Sequence, residues 1–160
     1  MTASDEVTLI AGVRMDRTSS AAIIAEFGPN TGSTNGAFIM SGPETTGASG
    51  PYGWSVRGTS VGGTNSDSRA APDTSVITGT ADISAPLRII RRNGVQRSSS
   101  TASLGTGAFS TQSLHIGRRN NATLPFKGRI YGLIVINRVL TAEEIAMAEE
   151  WMAAKAGVAL

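Results

Sequence analysis

Residues 125–145 read PFKGRIYGLIVINRVLTAEEI, and this stretch decides the fold. Its first half predicts a β-strand that is apolar on both faces, because side chains alternate between the two sides of a strand. Six apolar side chains divide between the two parities, Ile130, Ile134 and Ile136 on one and Tyr131, Leu133 and Val135 on the other. Such a strand must be covered on both faces, so the rest of the chain has to supply two covers.

The second half of the stretch begins a helix. Thr141 is a good N-cap, and Glu144 three residues later completes a capping box, with Leu140 and Ile145 at the hydrophobic staple positions. Gly157 supplies a stop signal. One face of this helix and its flank carry apolar side chains: Ile145, Ala148, Met152, Ala156 and Trp151. We therefore predict that the helix folds back over the outer face of the strand, whose other face lies in a sandwich.

The composition favours an all-β protein. Nineteen glycines and a charged fraction of only 16% are typical of short strands and tight turns. A length of 160 residues fits one domain, which we place over residues 1–160. Residues 58–73, GTSVGGTNSDSRAAPD, contain few apolar side chains and are predicted to form a surface loop.

One arginine-rich segment, RIIRRNGVQR, is predicted to form a hairpin. Asn93-Gly94 is the signature of a two-residue turn. In that register Arg91 lies opposite Gln96, and Ile90 lies opposite Arg97. The arginines are interpreted as the solvated side of the hairpin, with an anion site as the alternative.

Charge and residue usage exclude several classes of protein. The net charge is only +2, although 14 residues are Lys or Arg, so the sequence does not predict a nucleic-acid partner. The chain has no cysteine, which excludes disulfides and thiolate metal sites. No apolar run approaches the roughly 18 residues of a membrane span, so membrane insertion is not expected.

Residues 113–158 resemble the closing segment of concanavalin A-like, laminin-G-like jelly-roll domains. These domains show an L-x-I-G strand, a loop, and then F-x-G-x-I-x-x-L-x-V-x-N-R-x-L-T-x-x-E-I. The matching positions are Leu114, Ile116, Gly117, Phe126, Gly128, Ile130, Leu133, Val135, Asn137, Arg138, Leu140, Thr141, Glu144 and Ile145. Upstream, VITGTADISAPLRIIRRNGV resembles the strand, aspartate and NG-V hairpin of the family, with Asp82, Asn93, Gly94 and Val95 in place. GWSVRG at residues 53–58 resembles the G-W-x-L strand of the family more loosely.

The resemblance implies a two-sheet antiparallel jelly-roll sandwich with one C-terminal α-helix packed on the outside. Modules with this ending are found in phage virion and bacterial surface proteins, so a virion or an extracellular cell surface is the expected location. Members of the family often begin with an extra N-terminal strand that pairs near the last strand. We therefore expect this chain to be the C-terminal part of a larger protein.

Relatives on this fold include enzymes that cleave glycans, and these place acids on one strand with E-x-D-x-x-E spacing. No such motif occurs among the twelve acids of this chain. Four of them lie on the predicted helix, and most of the others are scattered singly. The sequence therefore predicts a protein that is not an enzyme, since glycosidases need a pair of carboxylates flanking the bond.

A glycan site is predicted from an aromatic platform with polar neighbours. Tyr52 and Trp54 follow a turn-rich loop and are the candidate platform, although core packing of Trp54 is an equally good interpretation. The candidate polar ligand-binding residues are Arg57, Arg118, Arg119 and Asn120. Relatives also bind calcium at the sandwich rim, and Asp67 and Asp73 are the candidate ligands, with solvated loop acids as the alternative.

The sequence and the family resemblance support three hypotheses about function. The first is a non-catalytic carbohydrate-binding or adhesion module of a phage virion or bacterial surface protein, whose partner is a surface polysaccharide or another glycan. The second is a structural module that decorates or assembles a virion through contacts with other virion or surface protein chains. The third and least favoured is a glycan-cleaving enzyme. Exposed Tyr52 and Trp54 would support the first, and an apolar patch without a cleft would support the second.

Overall fold

The computed structural model describes residues 3–16, 22–42, 49–120 and 123–160. These residues form ten β-strands and one α-helix. In chain order the elements are β1 (Glu6–Met15), β2 (Ala22–Phe27), β3 (Ala37–Gly42), β4 (Ser49–Arg57), β5 (Val61–Ala70), β6 (Asp73–Asp82), β7 (Leu87–Arg92), β8 (Val95–Ser100), β9 (Leu114–Ile116), β10 (Gly128–Ile136) and α1 (Ala142–Ala156). The helix is not long and apolar enough to cross a membrane.

The strands form two antiparallel sheets of five strands each. The first sheet has the order β10-β1-β6-β7-β8, and the second sheet has the order β5-β4-β3-β2-β9. Their inner faces enclose one hydrophobic core, and α1 packs on the outer face of the first sheet. The predicted fold class, a two-sheet jelly-roll sandwich with an external C-terminal helix, is confirmed.

Aromatic rings fill the centre of the core. Phe38 stacks on Phe27 with ring centroids 5.2 Å apart, and it meets Trp54 at 5.5 Å and Phe109 at 5.7 Å. Gly79 on β6 faces this cluster, and a Cβ there would lie 2.5 Å from the Trp54 ring. The missing side chain at Gly79 is therefore what lets the indole cross between the sheets.

Strand β10 has the two covers that its sequence requires. Leu133 and Val135 pack against the core between the sheets, whereas Ile134 and Ile136 pack against the cluster under α1. The prediction that one face turns inward and the other lies beneath the helix is confirmed for these four residues.

Ile130 departs from this pattern, because it packs against the core and not beneath the helix. The cause is a β-bulge. Gly12 pairs with Gly132 but the next residue, Val13, pairs with Ile130, so Tyr131 is an extra residue that reverses the alternation. The predicted face of Ile130 is therefore wrong.

The ends of α1 are as predicted. The Thr141 side chain accepts a hydrogen bond from the backbone N–H of Glu144 at 3.3 Å, and the Glu144 carboxylate accepts one from the backbone N–H of Thr141 at 2.9 Å. Gly157 ends the helix in the left-handed conformation, with φ of 69°. These local signals explain why the helix begins and ends where it does.

The helix docks through Met152, which is fully buried. A Cβ on Gly12 or on Gly132 would lie 2.9 or 2.8 Å from the Met152 side chain. These two glycines pair across β1 and β10, so their missing side chains leave a slot in the sheet for Met152. Trp151, on the flank of the apolar helix face, is 52% exposed, and the Lys155 ammonium lies 4.5 Å from its ring centroid.

A buried ion pair also joins α1 to the first sheet. Arg91 donates from Nε and Nη2 to the two carboxylate oxygens of Glu149, at 2.9 and 3.0 Å. The Thr78 hydroxyl donates to the same carboxylate at 2.8 Å. Arg91 was predicted to lie on the solvated side of a hairpin. It instead points towards the helix, because it pairs with the carboxylate of Glu149.

The hairpin itself is present, with Asn93 and Gly94 at positive φ. Arg91 pairs with Gln96 as predicted, but Ile90 pairs with Ser98 and not with Arg97. A bulge between the two pairs shifts the register by one residue.

The predicted loop at residues 58–73 is largely strand β5. It pairs with β4 at the edge of the second sheet, and its inward positions are occupied by Gly62, Thr64 and Ser66. Because these side chains are small and polar, the strand lacks the apolar alternation by which strands are identified. The prediction of a loop is therefore wrong.

Candidate ligand-binding surface

The outer face of the second sheet carries a low polar patch on β3, β4 and β5. On β4, Tyr52, Trp54 and Val56 point into the core, so Gly53 and Ser55 between them point outward and are half-buried. A Cβ on Gly53 would lie 2.7 Å from the Ser41 hydroxyl oxygen on β3. A ligand on this patch would therefore meet hydroxyl groups and backbone, with the apolar side chains of Ile39, opposite Ser55, and Val61, opposite Arg57, beside it.

The same face continues onto β5. Gly63 pairs with Ser55, and Asn65 pairs with Gly53. Both Gly63 and Asn65 are exposed. A Cβ on Gly63 would lie 2.7 Å from the Ser55 hydroxyl oxygen, which keeps this second row as low as the first.

One end of the face is bounded by the loop at residues 28–36, which joins β2 to β3. Arg57, at the end of β4, donates from Nη1 to the carbonyl oxygen of Gly32 at 2.8 Å and from Nε to Asn35 Oδ1 at 3.2 Å. Asn120 donates from Nδ2 to the carbonyl oxygen of Pro29 at 3.1 Å. Side chains from two distant parts of the sequence thus hold the loop beside the outer face.

Beneath this loop lies a fully buried carboxylate, Glu26, at an outward position of β2. Arg119 donates to both of its oxygens at 2.8 Å, from Nε and Nη2. Thr31, within the loop, donates to Glu26 Oε1 from its backbone N–H at 3.3 Å and from its hydroxyl at 3.2 Å. The pair of opposite charges and these hydrogen bonds satisfy the buried carboxylate and fix the loop.

The structure brings together three of the predicted binding residues and separates the others from them. Arg57, Arg119 and Asn120 all contact β2 or the loop that follows it. Arg118 is exposed between β9 and the turn that contains Asn120. Tyr52 is not part of this group, and neither is Trp54.

The predicted aromatic platform does not exist in this structure, because Tyr52 and Trp54 are both fully buried. Trp54 Nε1 donates to the carbonyl oxygen of Thr80 at 3.0 Å, across the core. The Tyr52 hydroxyl donates to Asp73 Oδ2 at 3.0 Å. Burial, and then the nearby Asp73 carboxylate, raise the pKa of the Tyr52 hydroxyl well above its usual value. The core interpretation of Trp54, which the sequence left open, is the one that the structure supports.

The two candidate calcium ligands are already bound by arginines. Arg92 donates to both oxygens of Asp67, at 3.0 and 2.7 Å, and Arg97 lies 3.3 Å from one of them. The hydrogen bonds from Arg92 lower the pKa of the Asp67 carboxyl group. Asp73 accepts from Arg69 at 3.1 Å. Within the described ranges, no three His, Asp or Glu side chains cluster as metal ligands would.

Sequence reasoning missed Glu26 and the loop at residues 28–36. Glu26 is the one charge in the otherwise apolar run AAIIAEFG, which is the signal that could have identified it. It also missed a groove of about 440 Å³ between α1 and β10, lined by Ile134, Leu140, Met147 and Trp151. No sequence pattern predicts that groove, because its shape depends on where the helix docks.

Comparison with known proteins places this architecture. Residues 1–146 match the family model Laminin_G_3, described as the concanavalin A-like lectin/glucanases superfamily. No curated protein sequence matches the chain.

Among solved structures, the CBM40 carbohydrate-binding module of the Ruminococcus gnavus IT-sialidase, bound to α2,3-sialyllactose, is similar with a TM-score of 0.68. It is 17% identical in sequence, and the match covers 92% of this chain and 84% of that one. The heptameric SAP-like pentraxin of Limulus polyphemus matches with a TM-score of 0.65 and 11% identity, over 92% and 70% of the two chains. The binding domain of botulinum neurotoxin serotype G matches with a TM-score of 0.66 and 15% identity, over 94% of this chain and 37% of that one. At these identities the structural matches establish the fold, and the family match shows that the chain belongs to the concanavalin A-like lectin/glucanases superfamily.

Proposed function

We propose that this protein is a non-catalytic carbohydrate-binding module that holds its ligand on the outer face of the second sheet. The observation that carries the proposal is the low polar surface of Ser41, Gly53, Ser55, Gly63 and Asn65, closed at one end by the loop at residues 28–36. Hydroxyl, amide and backbone groups on an open face suit a ligand that is itself covered with hydroxyl groups. The similar module from Ruminococcus gnavus binds a glycan, which supports the same class of ligand here.

Arg57 makes an acidic sugar the preferred ligand. Its guanidinium group is half-buried beside the outer face, and the two hydrogen bonds that it makes go to a carbonyl and an amide oxygen. Within the described residues no carboxylate pairs with it. A guanidinium group has five N–H donors, so Arg57 keeps donors and a full positive charge for a carboxylate on the ligand. Sialyllactose, which the Ruminococcus gnavus module binds, carries such a carboxylate.

Arg119 is a positioning residue in this proposal. Its charge is neutralised by Glu26, so it does not compete with Arg57 for an anionic ligand. Because Glu26 accepts hydrogen bonds from Arg119 and Thr31, its oxygens are occupied and it is poorly placed to act as a general acid or a nucleophile. This arrangement supports binding without catalysis.

The test is binding to a panel of sialylated, uronic-acid and neutral glycans, measured by glycan array and then by calorimetry. Arg57→Ala is expected to weaken binding of the acidic glycan by at least about tenfold, as loss of a charged hydrogen bond does. Asn65→Trp is expected to block the face from its exposed edge. Arg129→Ala, an exposed arginine on β10 in the other sheet, is the matched control and should bind as the native protein does.

Three results would contradict the proposal. If binding survives both Arg57→Ala and Asn65→Trp in folded protein, the ligand lies elsewhere. If a bound glycan is shortened during incubation, the module is catalytic. Absence of binding to the whole panel would favour the structural module.

The larger context of the module is part of the same proposal. A glycan-binding domain meets surface polysaccharide outside the cell, so we place it on a phage virion or on the surface of a bacterium, next to other virion or surface protein chains. The structural alternative also draws on one specific observation, the apolar edge formed by β10 and α1.

A further inference from the structure

Arg88 is the most deeply buried cation in the described part of the chain. It lies at an inward position of β7 and is only 2% exposed. Its guanidinium group packs against Gly62 of β5, because a Cβ on that glycine would lie 2.6 Å from the guanidinium carbon and 2.7 Å from both Nη atoms. The side chain therefore crosses from the first sheet to the second and ends directly beneath the backbone of β5.

No carboxylate of the described residues offsets the charge of Arg88. Its Nη1 donates to the carbonyl oxygen of Ala102 at 2.9 Å, and its Nη2 donates to the Ser100 hydroxyl oxygen at 2.7 Å. Both acceptors are neutral, and Nε has no hydrogen-bond partner among the residues that the structure describes. None of the ion pairs formed by those residues includes Arg88. Buried charges are normally paired, so an unpaired positive charge inside the sandwich is unusual.

A second arginine on the same face of β7 shows the usual arrangement. Arg92 donates to both carboxylate oxygens of Asp67, at 3.0 and 2.7 Å, and Arg97 lies 3.3 Å from the same carboxylate. The hydrogen bonds to Asp67 raise the pKa of Arg92, whereas burial lowers the pKa of Arg88. A guanidinium group stays protonated even so. The two inward arginines of β7 therefore differ in that only the charge of Arg92 is neutralised.

The unpaired charge lies under the surface that we assign to the ligand. Gly62 is followed and preceded on β5 by residues that face outward, and one of them, Val61, is 52% exposed. Val61 pairs with Arg57, the cation beside the outer face. The backbone of β5 is what separates the Arg88 guanidinium group from that face. Because Arg88 is shielded from water, its field is screened less than the field of an exposed charge.

We propose that Arg88 determines the preference of the outer face for anionic ligands, because its unpaired charge acts on them through the backbone of Gly62. Since ligand binding at that face is itself the proposed function, this role of Arg88 rests on it. Arg57 contacts the ligand, and Arg88 does not.

The size of the effect follows from the thickness of one strand. Opposite unit charges about 8–10 Å apart, at an effective dielectric constant of about 20, attract each other enough to change an affinity more than tenfold. Dissolved salt weakens this attraction on the ligand's side. Loss of the Arg88 charge is therefore expected to weaken binding of an acidic glycan about threefold to tenfold, with no change for a neutral glycan.

The first experiment measures the potential at the outer face and needs no glycan. The chain has no cysteine, so Val61→Cys places a single thiol at the exposed position next to Gly62. The pH dependence of its alkylation gives the pKa of that thiol. A nearby cation favours the thiolate, so adding Arg88→Met is expected to raise this pKa by about 0.5–1, and Arg88→Lys should restore it. Arg92→Met is the matched control and should change the pKa by less than about 0.2, because the charge of Arg92 is already neutralised.

The second experiment compares two ligands that differ only in charge. α2,3-Sialyllactose carries a carboxylate, and its methyl ester has nearly the same shape without the charge. In calorimetry, Arg88→Met is expected to weaken binding of the acid about threefold to tenfold and to leave binding of the ester unchanged. An equal loss for both ligands would mean that Arg88 only supports the fold, and it would overturn the proposal.

The two experiments separate failure of this proposal from failure of the proposed function. If neither sialyllactose nor its ester binds the native chain, the proposed function loses support, and the thiol pKa alone decides the role of Arg88. An unchanged thiol pKa in folded Arg88→Met would overturn the proposal. If Arg88→Met does not fold, the thiol is measured in Val61→Cys combined with Arg57→Ala, which removes the exposed cation. Its pKa should be lower in the folded chain than in urea and stay lower at high salt, and a pKa that is equal in both states would overturn the proposal.

Discussion

Glu149 offers a sharp test of how the helix is held to the sandwich. Its side chain is 2% exposed, and it accepts two hydrogen bonds from Arg91 and one from Thr78. Glu149→Ala removes all three acceptors at once. Alanine is a better helix former than glutamate, so any loss of stability must come from these contacts and not from the helix itself.

The expected cost follows from what is left behind. Truncation of one partner of a buried ion pair costs about 3–5 kcal/mol, and the Arg91 side chain is 24% exposed, which favours the lower end of that range. The Thr78 hydroxyl, fully buried, also loses its partner at a cost of about 1 kcal/mol. We therefore expect Glu149→Ala to lower the free energy of unfolding by about 3–4 kcal/mol, which is a large share of the stability of a typical domain.

The assay is equilibrium unfolding in urea, followed by circular dichroism. Glu150→Ala is the matched control, because Glu150 is the next residue of the same helix but is exposed. Its unfolding free energy should change by less than about 0.5 kcal/mol. The double variant with Arg91→Ala should cost clearly less than the sum of the two single changes, because the charges leave together. Equal effects of Glu149→Ala and Glu150→Ala would refute the reasoning.

Three further predictions concern single residues. Hydrogen bonds from Arg138 lower the pKa of Glu144 to about 2, below its ordinary value, so the stability that Glu144 contributes is present above about pH 4.5 and is lost as the pH falls towards 2. The unfolding free energy of Glu144→Gln should therefore depend less on pH in that window than that of the native protein. An unchanged pH dependence would contradict the assignment. Gly79→Ala should cost about 1–3 kcal/mol, read from the urea midpoint, because its Cβ would overlap the Trp54 ring, and a neutral result would mean that the ring can shift. Trp54→Ala should lower stability by about 3–5 kcal/mol in the same assay, and a variant of native stability that loses glycan binding would restore Trp54 as a ligand platform.

Features that depend on neighbouring residues could be predicted from the sequence. Thr141 and Glu144 lie three residues apart, so their reciprocal hydrogen bonds do not depend on the rest of the fold. The Asn93-Gly94 turn is equally local, since it needs only two residues that tolerate positive φ. The alternation of β10 from Gly132 to Ile136 indicated two covers, and the sheet and helix supply them.

The errors, and the choice that the sequence left open for Trp54, lie where a distant partner decides the outcome. Tyr131 bulges because β1 pairs around it, and nothing in the strand itself marks that position. Trp54 follows a turn-rich loop like an exposed residue, but Gly79, twenty-five positions later, makes room for it in the core. Arg91 reads as a solvated hairpin residue until the helix brings Glu149 to it.

The sequence predicts the polar residues around the candidate binding surface but not the loop that they hold. The sequence predicts Arg57, Arg119 and Asn120 as polar binding residues, and the structure places all three around one loop. The sequence does not predict the loop or Glu26, because the role of a single carboxylate in an apolar run depends on its counter-ion, Arg119, 93 positions away.

Because Met152 is buried in the glycine slot, its oxidation can be used to measure how often the helix leaves the sheet. A thioether reacts with peroxide only where the oxidant can reach it, and Met152 is fully buried between Gly12 and Gly132, whereas Met147 on the same helix is 64% exposed. Met147 should therefore turn into its sulfoxide at the rate of a free side chain. Met152 should do so only when the helix lifts from the sheet. The ratio of the two sulfoxides, measured by mass spectrometry, therefore reports the fraction of time that α1 is detached from the sheet.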